Sequence, residues 1–278
     1  MTREKTFPLS LEQLTVKKNA SGATNRSAQP GKAPSYEHSL NSPGRSDSSQ
    51  LASHNEHRVT GLGLDSERTR YALIERLQRY GISDKTVLNA IATIPRHLFV
   101  DSGLASQAYE DTALPIGYEQ TISKPSIVAY MISHVRQNYL PEQRLIKVLE
   151  IGTGCGYQAA VLSQLAHEVY SIERIKPLFE KAKQNLRPLR LANLRLHHGD
   201  GTLGLPDVAP FEAIIVAAAG MAVPETLRNQ LAIGGRLIAP IVHGKQQVLK
   251  MIERQSNTLF QETILESVLF VPLKSGLA

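Results

Sequence analysis

The stretch that most constrains the fold of this chain is Val148-Leu149-Glu150-Ile151-Gly152-Thr153-Gly154-Cys155-Gly156-Tyr157. An apolar strand runs into three closely spaced glycines and then into a helical pattern, which is how a βα unit of a parallel sheet begins. Glycine is needed there because the chain must turn sharply and let its backbone approach a ligand. The same alternation continues downstream. Short apolar runs over residues 147–150, 168–172, 194–197, 213–216, 235–240, 247–254 and 265–272 read as strands, with amphipathic helices over 157–166, 177–189 and 224–230. The expectation is an α/β fold, a doubly wound and mainly parallel seven-stranded sheet with extra strands at its C-terminal end.

Upstream, Tyr71, Leu73, Ile74, Leu77 and Tyr80 share one helical stripe that Gly81 closes, and a second helix over 84–94 stops at Pro95. About 30 loop-rich residues follow that read as neither strand nor helix, and then a helix over 126–137. Residues 1–63 are crowded with Ser, Asn, Gln, Gly and Pro, as in Ser39-Leu40-Asn41-Ser42-Pro43-Gly44. Such a segment buries too little apolar surface to offset its ordering entropy. The domain reading is therefore a disordered low-complexity extension over 1–63 and one folded domain over 64–278.

Lys and Arg number 31 against 25 Asp and Glu, but no basic block interleaves with aromatics and Trp is absent, which argues against nucleic acid as a partner. A lone cysteine forms no intrachain disulfide, and no apolar run approaches the roughly 20 residues of a membrane helix. The expected setting is the cytoplasm, with no membrane partner.

A dinucleotide fingerprint would place its third glycine at position 157, where this chain has Tyr157. With Glu150 just ahead of the loop, the motif suits a cationic amino-acid-like ligand better than a pyrophosphate. S-adenosylmethionine, with its ammonium and sulfonium, fits that description; the alternative is a tight turn with no ligand. Glu173 lies about 20 residues beyond Gly152, at the next strand end, where a carboxylate can accept both ribose hydroxyls. It reads equally as a capping acid ahead of Arg174 and Lys176. Asp200, between Gly199 and Gly201, either reaches an adenine amino group or marks a turn. His197 and His198 are adjacent rather than spaced for one ion, so no metal site is expected.

From about Ser66 onward the chain resembles the protein-L-isoaspartate O-methyltransferase family. The resemblance rests on Leu114-Pro115-Ile116-Gly117, Gln120-Thr121-Ile122-Ser123, residues 148–160, Tyr170-Ser171-Ile172-Glu173-Arg174, Gly199-Asp200-Gly201, Phe211-Glu212-Ala213-Ile214-Ile215-Val216, Gly234-Gly235-Arg236-Leu237 and Phe270-Val271-Pro272-Leu273. It implies a Rossmann-like S-adenosylmethionine-dependent methyltransferase fold with a C-terminal antiparallel strand and an N-terminal helical and loop segment carrying the substrate site. The implied reaction is methyl transfer to the side-chain carboxylate of L-isoaspartyl residues in damaged proteins and peptides, leaving S-adenosylhomocysteine. The implied cofactor residues are Glu150, Gly152, Thr153, Gly154, Gly156, Glu173, Asp200 and Gly201. Ser123 would be the active-site residue, and with Thr121 and Ile122 it would shape the substrate pocket of a monomeric enzyme. On its own, Ser123 two residues before Pro125 is equally a helix cap.

The chain departs from the family pattern at Cys155, where serine is usual, at Ala217, where threonine is usual, and at Tyr118-Glu119, which replaces a glycine-containing pair. Two other functions compete: a methyltransferase for a small molecule or RNA, and a binder of cofactor or damaged protein without turnover. Against base methylation, the loop after the fourth strand is Ala217-Ala218-Ala219-Gly220 rather than an Asn-Pro-Pro-Tyr type.

Overall fold

The computed structural model describes residues 67–278, so the expected extension over 1–63 lies outside the described residues. Two helices come first, α1 (Glu67–Tyr80) and α2 (Lys85–Thr93), the latter capped by Asp84, whose side chain accepts from the N–H groups of Thr86 and Val87. A short hairpin, β1 (Leu114–Gly117) and β2 (Gln120–Ile122), precedes α3 (Pro125–Arg136), and then the main sheet begins.

Its elements in chain order are β3 (Leu145–Ile151), α4 (Tyr157–Ser163), β4 (Ala166–Glu173), α5 (Lys176–Leu186), β5 (Leu194–His198), β6 (Phe211–Val216), α6 (Glu225–Asn229), β7 (Leu231–His243), β8 (Gln246–Arg254) and β9 (Phe260–Val268). The seven strands lie in the order β5-β4-β3-β6-β7-β8-β9. β5 through β7 run parallel, whereas β8 is antiparallel to both of its neighbours. The expected α/β class and mainly parallel seven-stranded sheet are both present.

Strand periodicity explains why both faces are covered. Val148, Val169, Ala213 and Ile215 face one apolar cluster, which they share with α2, α3 and α4. Their alternates Leu149, Ile151, Tyr170, Ile172, Ile214 and Val216 face a second cluster closed by Leu227 and Leu237. A sheet buried on both sides has continuous apolar strands, as found here.

Two expectations need correction. The stretch read as loop holds the β1–β2 hairpin and two 3-10 turns, Arg96–Phe99 and Ser102–Gln107. The hairpin escaped notice because its tip, Tyr118-Glu119, has left-handed φ values of 54° and 57° without the Asn-Gly or Asp-Gly chemistry that marks such turns. The last strand lies at Phe260–Val268 rather than 265–272, because the β8–β9 register pairs Arg254 with Phe260 and Gln247 with Val268.

Candidate active site

The C-terminal ends of β3, β4, β5 and β6 open onto a crevice of about 1070 Å³, solvent-open mouth included. That is the edge at which open α/β sheets bind ligands. One wall is the glycine loop. Gly152 and Thr153 both donate their N–H groups to Ile172 O, at 2.9 and 3.2 Å, and Ala217 N–H donates to Ile151 O at 2.8 Å, so the loop is pinned across three strand ends. Gly152 and Gly154 have φ values of +93° and +55°, which side chains disfavour. A Cβ at Gly154 would lie 3.2 Å from Ile116 Cδ1, so the loop packs directly against the hairpin.

Glu173 ends β4 at the crevice. Its Oε2 accepts from Gly154 N–H and its Oε1 from Ile175 N–H, both at 2.9 Å. A carboxylate has about four lone-pair sites, so acceptor capacity remains on both oxygens for a ribose diol. Gly201 also lines the crevice. A Cβ there would come within 2.3 Å of Ile151 Cγ2, so only glycine lets this turn sit on the strand end.

A second wall is the hairpin and the segment leading into α3, contributing Tyr118, Glu119, Thr121, Ile122 and Ser123. Ser123 does not cap α3. The cap position is Lys124, which makes no side-chain cap bond, and Asp111 Oδ1 instead accepts from Ser126 N–H at 2.9 Å. The Ser123 hydroxyl has no hydrogen-bond partner among the described residues and lines the crevice. This removes the helix-cap alternative.

Three expected cofactor residues are not on the wall. Glu150 is fully buried in the sheet beside its register partner Ser171, which donates to Glu150 Oε2 and also bonds Thr153 Oγ1 at 2.6 Å. Burial pushes its carboxyl up to about 8, against the opposing hydrogen bond from Ser171. It reaches Thr153 only through Ser171 and does not itself line the crevice. Gly156 meets Leu186 and Ala182 rather than open space, so it is required for α4–α5 packing. Asp200 Oδ1 accepts from Thr202 N–H and Oγ1, and its Oδ2 accepts from Gly276 N–H at 2.6 Å. Burial alone would raise its pKa, but those hydrogen bonds and nearby Arg174 outweigh it and lower it. Its carboxylate holds the tail of the chain, where Arg174 Nε also bonds Gly276 O and Lys176 N–H bonds Ala278 O.

Sequence reasoning missed the tail residues Val271 to Lys274, together with Ile116, Tyr157, Ala217 and Ala218, which line the crevice too. The last two were signalled by their position after β6 at the ligand-binding edge. Cys155 is buried at the wall with its thiol pushed up to about 11 by burial, and it serves as a small apolar residue in the main core. No cluster of three or more metal-ligating side chains occurs, and no helix is long and apolar enough to cross a membrane, among the described residues.

Residues 68–278 match the model of the family described as Protein-L-isoaspartate(D-aspartate) O-methyltransferase. A Ralstonia nicotianae protein-L-isoaspartate O-methyltransferase is 62% identical over 227 residues, covering 77% of this chain and 71% of that protein. A Cupriavidus necator protein-L-isoaspartate O-methyltransferase 2 is 65% identical over 210 residues, covering 72% and 69%. Among solved structures, a protein-L-isoaspartate O-methyltransferase aligns with TM-score 0.67 at 31% identity over 75% of this chain and 67% of its own. A Plasmodium falciparum chain assigned to the same activity, in complex with S-adenosyl-L-homocysteine, aligns with TM-score 0.65 at 26% identity, covering 74% and 98%. These relatives do not favour a small-molecule or RNA acceptor, or a silent binder. A crevice joining a glycine loop, a carboxylate with spare acceptor capacity and a free serine hydroxyl thus agrees with the match along nearly the whole described chain: this protein belongs to the protein-L-isoaspartate(D-aspartate) O-methyltransferase family.

Proposed function

We propose how this chain divides the labour in the reaction of its family, the S-adenosylmethionine-dependent methylation of L-isoaspartyl side-chain carboxylates. Gly152, Thr153, Gly154, Glu173 and Gly201 hold the donor, while Ser123, flanked by Thr121 and Ile122, holds the acceptor. A crevice-lining loop with two glycines in a left-handed conformation that side chains disfavour, and a carboxylate with spare acceptor sites, fit a nucleoside carrying a cationic amino-acid arm. S-adenosylmethionine, when bound, supplies a methyl group activated by its sulfonium.

The acceptor carboxylate has a pKa near 4 and is ionised at neutral pH, so no general base is needed. The residues have to supply alignment and exclusion of water, which together are worth roughly 7–11 kcal/mol. Ser123 is suited to this because its hydroxyl is free to donate one hydrogen bond to a carboxylate oxygen while Ile116 and Ile122 exclude water beside it. One neutral donor orients the anion without binding it so tightly that it loses nucleophilicity. The methyl ester is then open to attack by the following backbone amide nitrogen, which expels methanol, and water can reopen the resulting succinimide to aspartate without further help from the protein.

The observation that carries the division is the unengaged Ser123 hydroxyl in the crevice that the glycine loop also lines. A monomer working in the cytoplasm accompanies this reading, in keeping with the lone, buried Cys155. The test is methyl transfer from labelled donor to an isoaspartyl peptide and its aspartyl twin, beside calorimetric titration with S-adenosylhomocysteine. Label on the isoaspartyl peptide alone, with saturable uptake of the product analogue, is the expected outcome; uptake with no label on either peptide refutes it.

A further inference from the structure

Arg96 is a buried charge that the mechanism above leaves unused. It follows Pro95, is 0% exposed, and sits behind the crevice rather than in it. Its Nε donates to Ala108 O and its Nη2 to Ser123 O, both at 2.8 Å, while the guanidinium carbon lies 4.7 Å from the centroid of the Tyr157 ring. Ser123 belongs to the acceptor wall and Tyr157 opens α4 directly after the glycine loop, so one side chain touches both walls.

A buried guanidinium is ordinarily paired with a carboxylate, because an uncompensated charge in the interior is costly. Here Nη1 is buried with no hydrogen bond of good geometry, although the likewise buried Tyr157 hydroxyl interacts with the guanidinium, and no carboxylate forms an ion pair with Arg96 among the described residues. Asp111 acts on it only at longer range and is engaged with Ser126 N–H. Arginine does not shed its proton at working pH, so the wall keeps a positive charge that an arriving anion would compensate.

We propose that Arg96 is a positioning residue for methyl transfer: it fixes the main chain of Ser123 against the glycine-loop wall, and its unpaired charge favours an anionic acceptor over a neutral one. This rests on the assignment of Ser123 to the acceptor. It also accounts for a sequence oddity, an arginine inside the largely apolar run from Ile94 to Val100.

The test uses the full chain with Arg96→Lys and Arg96→Gln. The readouts are thermal unfolding, S-adenosylhomocysteine affinity, kcat and KM for an isoaspartyl peptide, and the ratio of binding between that peptide and its neutral isoasparagine counterpart. In Arg96→Lys the charge persists without the fork that spans two carbonyls, so kcat falls about 10-fold with KM and the carboxylate-to-amide ratio nearly unchanged. In Arg96→Gln, KM rises a further ~30-fold and the ratio falls about 10-fold, while product-analogue affinity stays within about 3-fold.

The proposal is overturned if folded Arg96→Gln keeps kcat, KM and the ratio within about 2-fold of the parent. It is also overturned if peptide, amide and product-analogue binding all weaken in parallel, which is the mark of a merely structural role. Should Arg96→Gln not fold, Arg96→Lys decides: lowered kcat with the ratio intact supports the proposal, and unchanged kcat or a lost ratio overturns it. Failure of the unmodified protein to bind S-adenosylhomocysteine would instead overturn the donor-site assignment.

Discussion

The two walls of the crevice are built in different ways. The donor wall is backbone held by backbone: the glycine loop continues the ladders of β3, β4 and β6, and a seven-stranded sheet stands behind it. The acceptor wall is a hairpin of four and three residues whose strands pair only with each other, with a register irregularity between Pro115 and Gly117. Side chains from elsewhere tether it: Arg96 to Ser123 O, Lys181 Nζ to Ile116 O at 3.0 Å, and Asp111 to Ser126 N–H. Substitutions on the donor side should therefore change ligand affinity and leave the frame intact, whereas those on the acceptor side should change turnover at constant donor affinity.

Ser123→Ala probes that difference most strongly. Loss of the hydroxyl that aligns the acceptor lowers kcat on the order of 100-fold, the cost of a misplaced reactant, while S-adenosylhomocysteine affinity is unchanged. Full turnover in that variant would place the carboxylate elsewhere. Glu173→Gln should show the converse pattern, with affinity for the product analogue down about 30-fold and kcat at saturation little altered, since it loses charge-assisted acceptance from a ribose diol. A fall in kcat without a change in affinity would exchange the roles of the two walls.

Glu150→Gln tests the donor wall through pH. The folded carboxyl titrates at about 8 against an ordinary 4.5. Between those values the folded chain holds a proton that the unfolded chain has released, so stability falls as pH rises from 4.5 to 8 and then levels off. Glutamine does not titrate. The variant should match the parent near pH 5 and melt a few °C higher near pH 8.5, read by thermal unfolding at both pH values. Equal melting temperatures at both would show that Glu150 is not a protonated acid in the fold. The smallest effect is expected at the hairpin tip, where Glu119→Gly relieves a left-handed residue and should stabilise by about 0.5 to 1 kcal/mol in denaturant unfolding. Destabilisation there would mean that Glu119 supports the acceptor wall.

The same contrast governs what could be read from sequence. The donor wall was legible because strands buried on both faces are apolar throughout and because a glycine loop at a strand end has few other uses. Even there, acids of one appearance proved to serve different ends. Glu173 reaches the crevice, Glu150 is turned into the sheet by strand alternation, and Asp200 holds the tail through Gly276. Gly156 looks like its neighbours in the motif but is needed for packing against Leu186. The acceptor wall was legible only through family likeness, since a hairpin this short has no periodicity to detect and its turn lacks the usual residues. Arg96 was invisible, because an arginine in a sequence reads as exposed until a structure shows what surrounds it.

The most direct measurement is a crystal structure of the protein with S-adenosylhomocysteine. The account predicts the ribose against Glu173, the amino-acid arm along Gly152 to Gly154, and the sulfur open to the Ser123 hydroxyl. Ligand bound outside this crevice, or a sulfur separated from Ser123 by Ile116 and Ile122, would contradict it.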